Sequence, residues 1–267
     1  MSTGNQASEE LPDAEFSTDV GYFRQFLDAL NSTREEGELT ITEDAVYSEV
    51  VDPSNVMMCV ARIQGKALNG LQVNGSDSVT LGANYEKISD LFSGISKNSE
   101  LVFSYPVKQS GRLDAKLDIV DEDIVFTTST IDSDMVPDPP KDDPLAHPTQ
   151  IKIEGSKIKD AIKHADKMSD MDEGAVEFGV NEDTFFIKTE DQVEGSFIKR
   201  FPQTEKNLGE MSTKISLGLL NNIKKSLGSS ERVTIHIKGD NPIRFDADLD
   251  DEGNAQIVYL IAPRIES

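Results

Sequence analysis

Arg-Leu-Asp-Ala-Lys-Leu-Asp at positions 112–118 returns at 244–250 as Arg-Phe-Asp-Ala-Asp-Leu-Asp, 132 residues later, with five of seven residues identical. Seven residues decide little alone, but other elements recur in the same order. Phe23, Phe26, Leu27 and Leu30 fall at i, i+3, i+4 and i+7, one apolar helix face, and Ile158, Ala161, Ile162 and Ala165 repeat that spacing. Thr42-Glu43-Asp44 leads into Ala45-Val46-Tyr47, and Asn181-Glu182-Asp183 leads into Thr184-Phe185-Phe186. A second helical pattern, Tyr85, Ile88, Leu91 and Ile95, has its counterpart in Leu217, Leu220, Ile223 and Leu227. A strand starting at Glu100 or Glu231 precedes the repeated heptapeptide, and a final strand closes each copy. Duplication on this scale predicts a pseudo-symmetric object.

The expected fold class is α+β: two units, each with two helices packed on antiparallel sheet. Residues 1–14 are polar, acidic and without periodicity, and read as a disordered tail. The first unit spans 15–131 and the second 150–267. Between them, 132–149 carries Pro137, Pro139, Pro140, Pro144 and Pro148, a density that forbids helix and makes an extended connector. At 267 residues the chain is long enough for two cores.

Forty-nine acidic residues against 26 basic ones leave a net charge of −23, spread along the whole chain. Such a surface repels nucleic acid at long range and suits a host with a salty interior, a haloarchaeon or its virus. The lone Cys59 lies in the apolar run Val56–Ala61, which excludes an internal disulfide framework and fits a reducing, cytoplasmic compartment. No secretory pattern opens the chain, and the longest apolar run, Ile257–Ala262, is too short to span a bilayer, so no membrane partner is expected.

No catalytic constellation emerges, and the chain reads as a non-enzyme without cofactor or metal. His147, His164 and His236 stand at no metal-ligand spacing from one another or from Cys59. The run Asp246, Asp248, Asp250, Asp251, Glu252, Gly253 resembles a calcium loop only in part, because the twelfth place, 257, is isoleucine; a hairpin turn is the better reading. Neither a phosphate loop nor a dinucleotide fingerprint occurs.

Against this acidic background, positive charge gathers on the helices. Lys159, Lys163 and Lys167 lie four residues apart, on the side of their helix away from Ile158, Ala161, Ile162 and Ala165. Arg24 corresponds to Lys159 in the first copy. Lys224 and Lys225 belong to the last helical pattern and Lys87 to its counterpart. Phosphate contacts by so few cations lose most of their strength in salt, at a slope of about −0.9 per phosphate, whereas encirclement does not depend on affinity.

The order of elements, Val50-Val51-Asp52-Pro53-Ser54-Asn55-Val56 and the C-terminal Tyr259-Leu260-Ile261-Ala262-Pro263-Arg264-Ile265-Glu266 resemble the proliferating cell nuclear antigen (PCNA) family of sliding clamps, over about residues 15–267. The resemblance implies a homotrimeric ring of six units that encircles double-stranded DNA without sequence preference. Helices line its hole and sheets form its outer wall. It also implies service to a DNA polymerase, a separate clamp loader and other proteins carrying a PCNA-interacting peptide. By position Arg24, Lys163 and Lys225 match the family's inner-surface cations; Asp90 and Gly218 replace residues often basic there, so the hole is less positive than usual. The peptide pocket carried over from the family comprises Val51, Asn55, Val56, Met58, Met135, Val136, Pro242, Leu260, Ile261, Ala262 and Pro263. Subunit contact would pair the edge 124–131, with Ile124, Phe126, Thr128 and Ile131, with the edge 194–200, with Ser196, Ile198 and Arg200. Rival readings are one subunit of a heterotrimeric checkpoint-type clamp, a halophilic α+β enzyme, and a calcium-binding structural protein.

Overall fold

A computed structural model of the chain describes residues 11–109, 112–132, 149–168, 174–191, 195–203 and 209–264. In the first half the order is β1 (Ala14–Asp19), α1 (Val20–Asn31), β2 (Glu36–Thr42), β3 (Ala45–Val51), β4 (Met57–Gln64), β5 (Asn69–Val73), β6 (Ser78–Asn84), α2 (Tyr85–Leu91), β7 (Glu100–Gln109), β8 (Arg112–Ile119) and β9 (Ile124–Ser129). The second half runs β10 (Thr149–Ile153), α3 (Gly155–Asp166), β11 (Ala175–Asn181), β12 (Thr184–Asp191), β13 (Gly195–Pro202), β14 (Glu210–Ser216), α4 (Leu217–Ser229), β15 (Arg232–Ile237), β16 (Ile243–Asp248) and β17 (Ala255–Ile261). Apart from β5, each element of one half has its counterpart in the other.

Three antiparallel sheets form among the described residues. Their strand orders are β5-β1-β7-β8-β9, β10-β15-β16-β17-β4-β3-β2-β6 and β13-β12-β11-β14. The eight-stranded sheet joins the halves, with Ala255 opposite Ile63 and Ile261 opposite Met57 where β17 meets β4. Alternation explains its two faces. Met57, Cys59, Ala61 and Ile63 of β4 and Ile257, Tyr259 and Ile261 of β17 point to the helices and are buried; Arg62 and Gln64 point out and are exposed. In the first half Phe16 of β1, Phe23 of α1 and Phe103 of β7 pack together, with Phe16 and Phe103 stacked at 4.9 Å. Phe178 of β11 and Phe245 of β16 meet edge-on at 5.6 Å in the second.

The helices lie side by side on the buried face in the order α2-α1-α4-α3. Glycine permits the closest approach: a Cβ at Gly155, the first residue of α3, would stand 1.9 Å from the Leu227 carbonyl oxygen of α4. Asn84 caps α2, its Oδ1 accepting from the Lys87 N–H at 2.9 Å.

Three boundaries differ from the sequence reading. Ala14, assigned to the tail, is fully buried in β1 opposite Tyr105, and the Asp13 and Pro12 carbonyls accept from Asn74. Thr149, assigned to the connector, opens β10 opposite Ile237. Both strands are short, with too few alternations to announce themselves. α2 stops at Leu91, leaving Ile95 in the following loop beyond Gly94 at φ +84°. The connector residues 133–148, with Met135, Val136 and His147, lie outside the described residues, as do 1–10 of the tail.

Candidate functional site

The expected cations fall on the helix layer in unequal surroundings. Lys87, Lys163 and Lys167 are exposed. Arg24 is half-buried and reaches the Phe92 carbonyl at 3.5 Å. The stem of Lys159 lies across α4, where a Cβ on Gly228 would stand 2.2 Å from its Cδ. Lys224 donates to Asn221 at 2.8 Å and stands 3.8 Å from Asp166, which also accepts from Asn221. Lys225 of α4 pairs with Asp28 of α1 at 2.8 Å, and Asp28 accepts from Ser89 of α2 at 2.6 Å. The two cations of α4 are thus held by carboxylates of neighbouring helices, a pairing no helical phase reveals.

On the opposite face of the eight-stranded sheet a row crosses five strands: His236, Arg244, Leu260, Met58 and Val51. Leu260 and Val51 are half-buried and Met58 is 9% exposed. The loop after β3 supplies its rim. Asp52 Oδ1 accepts from the Val56 and Met57 N–H groups at 2.7 and 2.6 Å, and Oδ2 accepts from the Ser54 N–H at 2.9 Å. This carboxylate pins the turn, lets Asn55 take φ +56°, and leaves Val56 36% exposed. Ala262 N–H donates to the Val56 carbonyl at 2.8 Å, carrying the C-terminal segment past the loop with Pro263. Pro242 is half-buried, just before β16. The loop after β3 and the end of β17 thus lie side by side on this face, and one expected residue does not join them. Ile261 is fully buried on the helix side of β17, opposite Met57 and Ile243, because its neighbour Leu260 takes the outer face. Arg244 and His236 extend the row and both bind Asp246, His236 Nε2 at 2.9 Å. His236, which stands at no metal-ligand spacing in the sequence, is 8% exposed within this cluster.

The suspected calcium run disperses. Asp246 serves His236 and Arg244, Asp248 serves Arg232 and Gln256, and Asp250 accepts from the Tyr22 hydroxyl at 2.7 Å and from the Asn254 N–H. Burial and the Asp250 carboxylate push the Tyr22 hydroxyl well above its usual range. Cys59 is buried and its thiol is likewise pushed up by burial, which leaves it protonated. Among the described residues no three metal-ligating side chains cluster.

Both expected contact strands stand at sheet edges. β9 ends the five-stranded sheet and β13 the four-stranded one. Ile124, Phe126 and Thr128 alternate half-buried with exposed Val125 and Thr127, while Ser196, Ile198 and Arg200 are exposed on β13. Ile131 is not part of that edge. It lies beyond β9 and bridges Gly82 of β6, its N–H donating to the Gly82 carbonyl at 2.9 Å. Beside β13 runs a groove of about 900 Å³ against α3, lined by Lys157, His164, Phe197, Lys199 and Phe201, with His164 stacked on Phe197 at 5.4 Å. Sequence reading missed the groove, whose walls come from separate elements.

The free edges are related to the joint between the halves. Leu117 faces Phe126, and its repeat counterpart Leu249 donates its N–H to Ala255, so Phe126 corresponds to Ala255. Val46 faces Ile63, and its counterpart Phe185 faces Phe201, so Phe201 corresponds to Ile63. Among the described residues β9 and β13 are therefore the unpaired equivalents of β17 and β4. The duplicated unit is thus joined once within the chain, and among the described residues matching edges are left open at both ends.

The solved structures share this architecture. PCNA of Archaeoglobus fulgidus with the C-terminal region of FEN-1 bound superposes with a TM-score of 0.83 at 24% identity, covering 95% of this chain and 99% of that one. The chain has the DNA-clamp fold. In sequence it is similar to the DNA polymerase sliding clamp of Methanocella arvoryzae, 29% identical over 251 residues that cover 92% of this chain and 96% of the relative. The clamp of Natronomonas pharaonis, a haloarchaeon, is 25% identical over 245 residues, 90% of this chain and 94% of the relative. No protein-family model matches. The likeness to the sliding clamps read from two short motifs is thus supported along nearly the whole clamp, while relatives from methanogens as well as haloarchaea leave a haloarchaeal type undistinguished.

Proposed function

We propose that the chain is a DNA polymerase sliding clamp. It is a homotrimeric ring that encircles duplex DNA and tethers polymerase and other replication or repair proteins through a peptide-binding row on its outer face. The observation that carries this reading is the equivalence of the open edges β9 and β13 to the paired strands β17 and β4. Antiparallel pairing of β9 of one copy with β13 of the next repeats the internal joint. Phe126 then faces Phe201 of the neighbouring copy and enters the groove beside α3. A heterologous joint of this kind closes into a ring when its rotation suits the number of copies, and both edges vanish on closure.

Two clamp units joined by the connector 132–148, with starts at Ala14 and Thr149, make six units from three copies. The helix layer faces the hole, where Arg24, Lys87, Lys159, Lys163 and Lys167 are the cations nearest the duplex. Partner peptides occupy Val51, Asn55, Val56, Met58, Leu260, Ala262 and Pro263, with Pro242 at the border and Met135 and Val136 of the connector forming a wall. Apolar and aromatic anchors of a short peptide fit such a row. The clamp performs no chemistry and needs no cofactor; a separate loader opens it. The charge of −23 supports a salt-rich cytoplasm as its setting.

The deciding experiment measures mass and topology together. Light scattering should give three chains per particle, and particles loaded on nicked circular duplex should stay until the DNA is linearised. Release from the closed circle as fast as from the linear form would refute encirclement.

A further inference from the structure

A phosphate that approaches the helix layer competes with protein carboxylates for its cations, and both cations of α4 are already engaged. Lys225 is exposed, with 75% of its side chain accessible, yet its Nζ lies 2.8 Å from Asp28 Oδ2, whose carboxylate is only 24% accessible. Asp28 is fixed on its other oxygen by the Ser89 hydroxyl at 2.6 Å. Three helices, α1, α2 and α4, thereby meet at one carboxylate, and the pair spans the two halves of the chain. Lys224 repeats the motif more loosely, through Asn221 and Asp166.

We propose that Asp28 sets how many cations the helix layer offers to DNA, by holding Lys225 in a contact pair that a phosphate must displace. The inference rests on the clamp reading. Its physics follows from distance. Long-range attraction between the layer and the duplex dies within a Debye length, about 3 Å at 1 M salt, whereas a contact pair on a partly buried carboxylate is screened less. An exposed lysine pair is also weak enough to exchange. Held this way, Lys225 adds no counterion release on binding, so contact between the ring and the duplex stays loose and changes little with salt. A loosely held duplex lets the ring slide.

The test uses the full-length trimer and a short linear duplex, titrated by fluorescence anisotropy across salt concentrations at which circular dichroism shows the native fold. Asp28→Asn keeps an acceptor for Ser89 and removes the charge. It should steepen the slope of log affinity against log salt by about 0.9. Over a fourfold change in salt that slope is about a 3.5-fold larger change in affinity. Lys225→Gln should lower affinity by less than Lys163→Gln does, and should abolish the gain when combined with Asp28→Asn. An unaltered slope in folded D28N overturns the proposal. So does a loss in the single K225Q variant as large as the loss from Lys163→Gln, and that comparison stands even if D28N fails to fold. If Lys163→Gln weakens binding while D28N does not strengthen it, the Asp28 pair is irrelevant and the clamp reading survives. A trimer that never associates with the duplex in any form removes both.

Discussion

Ala255 stands directly opposite Ile63 in the antiparallel ladder that joins the two halves of the chain. The same two places in the other copy of each repeat are held by Phe126 and Phe201, which face open edges. Small and branched residues suffice where the covalent chain already holds the strands together. Two aromatic rings at the open edges offer the larger apolar area that the proposed joint between separate chains would need.

Phe126→Asp should therefore convert trimers to single chains, read by light scattering, while the circular dichroism spectrum stays that of the native protein. The register is checkable independently. Val125→Cys with Pro202→Cys places two exposed thiols opposite each other across the proposed joint, and a short bifunctional maleimide should link neighbouring copies there. Cross-linking that is stronger for Thr127→Cys with Pro202→Cys would mean a register shifted by two residues.

Leu260→Asp should weaken binding of a synthetic peptide with apolar and aromatic anchors about 30-fold, near 2 kcal/mol, by calorimetry, with the trimer and its melting temperature little changed. Ile261, one residue on, should behave in the opposite way. It is fully buried against the helices, so Ile261→Ala should cost about 2–5 kcal/mol of stability and leave the affinity of the remaining folded protein nearly intact. A peptide-affinity loss confined to Ile261→Ala would mean that β17 presents its other face.

Asp52→Ala removes a carboxylate that accepts from three backbone N–H groups. Leaving those donors unpaired should cost about 1–3 kcal/mol in stability, measured by urea unfolding. Because the same turn presents Val56, peptide affinity should fall as well. Asp52→Asn, which keeps an acceptor, should recover part of both.

Stability should fall at alkaline pH. Burial raises the Tyr22, Tyr85 and Tyr259 hydroxyls and the Cys59 thiol above their ordinary values of 10.0 and 9.0. In the unfolded chain these groups release protons near those ordinary values, while in the native state they keep them. The unfolded state then binds fewer protons, so stability drops as pH rises through about 9 to 10 and beyond, by up to about 1.4 kcal/mol per pH unit for each group. Urea midpoints at pH 7, 9 and 10.5 check this; equal midpoints would rule it out.

Much of the fold was legible because its signals are local. The i, i+3, i+4 spacing of Phe23, Phe26 and Leu27 needs only the helical period, and the repeated heptapeptide at 112–118 and 244–250 announces two copies before any contact is considered. The turn at Asp52 is local too, since the carboxylate bonds residues two to five positions on. The chain by itself thus determined the helices, most of the strands and the duplication. Tertiary structure alone decided which face of β17 is covered, and so that Ile261 goes in while Leu260 goes out, since period-two alternation fixes relative phase and not direction. It also decided that β17 and β4 find each other, leaving β9 and β13 unpaired, and that Lys225 meets a carboxylate 197 residues away. Each of these contacts depends on how distant segments pack after the chain closes on itself, and no periodicity within either segment carries that information.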